Sequence, residues 1–122
     1  MIEVSDDRFQ ELINIALGEL PKKHVENIKN VAILYQDEPT PDQRVQLELR
    51  NDQTLLGLYE GVPLSKRQGM PTVLPDKITL FKHPLENMAS DEGELKEEIR
   101  HTLWHEIAHY YGLNHDQIHN LE

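Results

Sequence analysis

Residues 105–115, His-Glu-Ile-Ala-His-Tyr-Tyr-Gly-Leu-Asn-His, restrict the architecture more than any other stretch of the chain. His105 and His109 stand four apart, the spacing that places two side chains on one face of a helix about 6 Å from each other. Two imidazoles so placed can share a metal ion, and the carboxylate of Glu106 between them can take a proton from a water on that ion. Gly112 can adopt the left-handed backbone that ends a helix, which lets the chain turn and return His115 as a third ligand. The pattern H-E-x-x-H-x-x-G-x-x-H therefore asks for a helix that ligates on one face, is buried on the other, and stops at Gly112. In a chain with this much histidine and glutamate, shuffling produces H-E-x-x-H about 4 times in 100, but the full pattern only roughly once in 10,000. The long form is what carries weight.

The helix this motif requires is visible upstream. Leu95, Ile99, Leu103 and Ile107 recur every four residues as a buried edge. Asp91 followed by Glu94 makes a capping-box start, so a helix is predicted over 91–111, about 30 Å long. A second amphipathic helix is predicted over 5–20, from Phe9, Leu12, Ile13, Ala16, Leu17 and Leu20, with Ser5 as cap and Pro21 as stop. Val31–Tyr35 reads as a buried strand, with Leu55–Tyr59 and Ile78–Phe81 as two more. Gly57 inside the second marks a bulge or a close backbone approach. Residues 42–53 fit helix or strand, 62–76 read as a loop, Pro84 follows the third strand, and 116–121 could form a last short turn. The expected fold class is α+β: a small mixed sheet of three or four strands packed on two main helices, in one domain spanning 1–122.

Composition narrows the function. The net charge of −10 repels phosphate backbones, so nucleic acid is a disfavoured partner. The chain has no cysteine, which excludes a thiolate metal site and suits a cytoplasmic setting. The first residues are acidic and lead into no apolar run, and no stretch approaches the ~20 apolar residues that span a bilayer. Zinc fits neutral imidazole donors, with three protein ligands and an open position as the usual catalytic arrangement. His105 and His109 are the first two candidate ligands. His115 is the candidate third, with Asp116 and His119 as rivals. His101 lies four residues before His105, but eight residues of helix rise about 12 Å, so one ion cannot bind His101, His105 and His109 together. Asp116, Glu97 and Glu98 are candidates to accept the second ring N–H of a ligating histidine. Tyr59, Tyr110 and Tyr111 could polarise a carbonyl, and Trp104 is expected to pack.

Residues 105–115 resemble the zinc signature of the metzincin metallopeptidases. The methionine turn that those enzymes carry after the signature has no counterpart, since Met1, Met70 and Met88 all lie upstream and seven residues follow His115. A broader resemblance is to the small bacterial zincin-like metallopeptidase family. It is carried by Asn30-Val31, Asp37-Glu38-Pro39, the run Leu55 to Leu64, Pro75-Asp76-Lys77-Ile78, His105 to His109, and Gly112-Leu113. The resemblance implies a minimal zincin core with the motif helix packed on a small mixed sheet. It also implies a zinc-dependent metallopeptidase in which Glu106 activates a zinc-bound water and a peptide or protein is the substrate. Two other readings stay open. One is a zinc-containing binding or regulatory module with little or no catalysis, working with a protein partner or as a homo-oligomer. The other, which the charge and Glu106 disfavour, is a metal-dependent ribonuclease.

Overall fold

The computed structural model describes residues 1–26, 28, 31–46, 55–61 and 76–112. The element order is α1 (Asp6–Glu19), α2 (Lys22–Val25), β1 (Val31–Gln36), α3 (Pro41–Gln46), β2 (Gly57–Glu60), β3 (Asp76–Phe81), α4 (Lys82–Met88) and α5 (Glu92–Tyr111). The class is α+β, as the sequence predicts. The expected short turn at 116–121 lies outside the described residues, as do 47–54 and 62–75.

The two long helices begin where their caps dictate. The Arg8 amide donates to Ser5 Oγ at 3.1 Å, and the Glu94 amide donates to Asp91 Oδ1 at 2.8 Å. Each bond satisfies one of the donors that a helix start leaves without an intrahelical partner. Glu94 completes its cap by accepting from the Ser90 amide at 3.1 Å. At the far end of α5, Gly112 takes φ 81°, and its N–H reaches the carbonyls of Ala108 and His109. The predicted edge Leu95, Ile99, Leu103 and Ile107 is fully buried.

The sheet is mixed, in the order β1-β3-β2. Strand β3 pairs parallel with β1 and antiparallel with β2. Paired residues share a face, so the register puts Ile33, Ile78 and Tyr59 together, and Tyr35, Leu80 and Gly57 together. This face meets the helices. Phe9 of α1 lies edge-on to Tyr35 of β1 at 5.3 Å, while α5 packs on β2 and β3 and against α1 and α4. Ile78 and Leu80 join Phe9, Leu12, Ile13, Leu95, Ile99 and Leu103 in one core.

Three expectations change. Strand β1 is not a buried strand: among the described residues it pairs only with β3, and Leu34 is 46% exposed. The ambiguous stretch opens as a helix, α3, with Thr40 and Gln43 exchanging side chain–backbone bonds at 2.8 and 3.1 Å. Asp76 belongs to β3 and not to a loop. After β3 the chain enters a helix that the sequence reading did not assign, and Pro84 sits third in α4, where a missing N–H costs nothing because first-turn amides have no intrahelical acceptor.

Candidate metal centre

His105, Glu106 and His109 sit in the last two turns of α5, whose opposite edge is anchored in the core. Four-residue spacing there gives the expected geometry: His105 Nε2 and His109 Nε2 are 3.1 Å apart, with ring planes at 65°. Two nitrogens at that separation, each bonded to zinc at the usual length, would subtend roughly 95–100° at the ion, within reach of the tetrahedral angle. His105, Glu106 and His109 offer ligand atoms that all lie within 4.8 Å of one another. The donor set is nitrogen and oxygen only, which suits zinc and excludes a thiolate centre. The other three candidates, His115 together with its rivals Asp116 and His119, lie outside the described residues.

Glu106 is set apart from the histidines by burial. It is 6% exposed, whereas both histidines are half-buried. Loss of water around the carboxyl pushes its pKa from the ordinary 4.5 up to about 7, against an opposing hydrogen bond from the Tyr59 backbone N–H. A carboxyl tuned to neutrality suits a group that must both accept and release a proton.

Gly57 makes this contact possible. A Cβ at that position would lie 2.5 Å from Thr102 Cγ2 and 3.4 Å from Glu106 Cγ. No side chain fits between β2 and α5 there, so the close-approach reading of Gly57 is the correct one. The Phe81 N–H donates to the Leu56 carbonyl at 3.0 Å. Antiparallel alternation then points the backbone groups of Leu58 at β3 and those of Gly57 and Tyr59 away from it. A cleft of about 360 Å³ opens beside this strand, lined by Leu55, Leu56 and Gly57 on one side and by Glu98, His101, Thr102, His105 and Glu106 on the other.

The remaining candidates divide. The Tyr59 hydroxyl donates to Asp76 Oδ2 at 2.6 Å, and that of Tyr111 to the His24 carbonyl at 2.7 Å, so both are engaged away from the histidine pair. Tyr110 is buried with its ring against Tyr59 and Tyr111. Trp104 packs as expected, 5% exposed and 4.4 Å from the His24 ring. His101 is exposed at the cleft. Glu97 is held by Arg100 at 2.7 Å and turns to the surface, whereas Glu98 lines the cleft. Sequence reasoning did not find the Tyr59 amide as a partner of Glu106, nor Glu98 in the cleft. The glycine within a strand was the available signal for the first.

No curated protein matches the chain. Among solved structures, a conserved hypothetical protein from Thermo thermophilus superposes with a TM-score of 0.57 at 19% identity, covering 88% of this chain and 94% of that one. That similarity speaks for the fold alone. The model of the zincin-like metallopeptidase family matches residues 28–122. With that match spanning most of its length and the motif helix docked on a small mixed sheet, the chain belongs to the zincin-like metallopeptidase family.

Proposed function

We propose that this protein is a zinc-dependent metallopeptidase, with His105, His109 and His115 holding the ion and Glu106 as general base. The observation that carries the reading is the placement of a buried carboxyl with a pKa of about 7 beside two imidazole nitrogens 3.1 Å apart, with Glu106 and His105 lining one cleft. A zinc ion there would polarise the scissile carbonyl and lower the pKa of water toward neutrality. Glu106 accepts the proton of the attacking water on one carboxylate oxygen and passes it to the leaving amide nitrogen. The Tyr59 N–H holds the carboxylate in place during both transfers. An extended peptide lies along β2, where the backbone groups of Gly57 and the carbonyl of Tyr59 turn away from β3, so that strand addition would orient the scissile bond over the histidines.

The acidic, cysteine-free chain fits a cytoplasmic peptidase acting on peptides or unfolded proteins and not on nucleic acid. Among the described residues no helix is long and apolar enough to cross a membrane. Assembly with a protein partner or a second copy is part of the same proposal, and size determination of the zinc-loaded protein tests it. For the chemistry, the test pairs metal analysis of wild type, His105→Ala and His109→Ala with a peptide-library digest comparing wild type and Glu106→Gln. One zinc per wild-type chain, loss of zinc in the histidine variants and cleavage only with Glu106 intact are expected. Equal cleavage by wild type and Glu106→Gln would remove Glu106 from the mechanism. Zinc binding that stabilises the fold while no peptide is cut would favour a regulatory zinc module.

A further inference from the structure

Upstream of the histidine pair, α5 presents a second ionisable group on the ligating stripe. Glu98, His101, Thr102, His105 and Glu106 follow at steps that keep them on one helix face, and all five line the cleft. Across from them stand Leu55 and Leu56. Glu98 is half-buried. Its backbone carbonyl accepts from the Thr102 hydroxyl at 2.8 Å, but its carboxylate has no hydrogen bond or ion pair among the described residues. Glu97, one residue earlier, is neutralised by Arg100 through two bonds of 3.0 and 2.7 Å. A carboxylate without a cation, facing an aliphatic wall beside the proposed reaction centre, is complementary to a group that is cationic at its tip and apolar along its stem.

We infer that this end of the cleft receives a lysine or arginine side chain of the bound peptide, with Glu98 as its counter-ion and Leu55 and Leu56 packed along its methylene stem. The inference rests on the peptidase reading above and adds the class of substrate. Glu98 precedes His105 by seven residues, about 10 Å along the helix axis. A backbone amine next to a scissile bond held at the histidines cannot span that distance, whereas a long side chain can. The net charge of −10 further enriches cationic peptides near the protein.

The test separates binding from chemistry. Zinc-loaded Glu106→Gln protein is titrated by fluorescence anisotropy with labelled peptides that differ only in carrying lysine, arginine or norleucine at each position in turn. One position is expected at which lysine and arginine bind about tenfold tighter than norleucine. Adding Glu98→Gln should bring that ratio close to one, while adding Glu97→Gln, on the surface of the same helix, should preserve it. A ratio near one at every position, or a preference that survives Glu98→Gln, overturns the inference. Digestion of the same peptides by protein with Glu106 intact is the separate arm. A Glu98-dependent preference without cleavage sinks the peptidase reading and keeps the cation subsite, and cleavage without any preference does the reverse.

Discussion

Replacing Glu106 by glutamine should stabilise the metal-free protein, and by an amount that depends on pH. Burial raises the folded-state pKa of Glu106 from 4.5 to about 7. At a pH below 4.5 the carboxyl is protonated in both folded and unfolded chains and contributes no difference. As pH rises through the window from 4.5 to about 7, the unfolded chain releases a proton that the folded chain still holds, so stability falls. Each pH unit in that window costs about 1.4 kcal/mol, which accumulates to about 3 kcal/mol by about pH 8. Glutamine has nearly the same shape, and its amide oxygen can still accept from the Tyr59 N–H, but it has no proton to lose. The stability of Glu106→Gln minus that of wild type should therefore climb from near zero at about pH 4.5 to about 3 kcal/mol at about pH 8. Urea unfolding of both proteins in the presence of a chelator measures this directly, because all other titrating groups cancel in the difference. A difference flat to within about 0.5 kcal/mol would refute the claim that Glu106 is held in a desolvating site. Zinc loading should shrink the effect, since a nearby cation favours the ionised carboxylate.

Gly57→Ala should destabilise the protein by about 1–3 kcal/mol through the clash with Thr102, and Thr102→Ser, which removes Cγ2 and keeps the hydroxyl, should recover much of the loss in a double-mutant cycle read by thermal unfolding. Gly112→Ala should cost about 1 kcal/mol because of its positive φ, whereas Gly18→Ala, with open space around its Cβ and a helical backbone, should gain about 0.5–1 kcal/mol; calorimetry distinguishes the two signs. Leu103→Ala, in the fully buried edge of α5, should cost about 2–5 kcal/mol in urea unfolding, and its zinc content when folded should remain that of wild type.

What could be read directly from the chain was whatever depends on near neighbours in sequence. Ser5 and Asp91 announce α1 and α5 because a cap is a contact about three residues long. His105 and His109 announce their own geometry because a helix turn sets it. The strand cores showed as short apolar runs. The helix α3 was also legible in principle, since Thr40-Pro41-Asp42-Gln43 carries both a capping box and a proline at the first helical position. The pull of Val45, Leu47 and Leu49 toward a strand pattern hid it. Helix α4 was hidden by Pro84, whose meaning reverses between the first turn of a helix and its middle.

The chemistry of the site needed more than its motif. The sequence by itself determined that two imidazoles and a carboxylate would share the end of one helix. It did not determine that the carboxylate would be desolvated, since an identical helix lying open to water would leave Glu106 ionised at neutral pH. That followed from β2, remote in sequence, whose Gly57 allows the backbone of Tyr59 to close over the carboxyl. The exposure of Leu34 likewise depended on the strand order, and the position of Glu98 in a cleft depended on where Leu55 and Leu56 came to rest. Burial and solvent access are properties of surfaces brought together from distant parts of the chain, so only the tertiary structure could assign them.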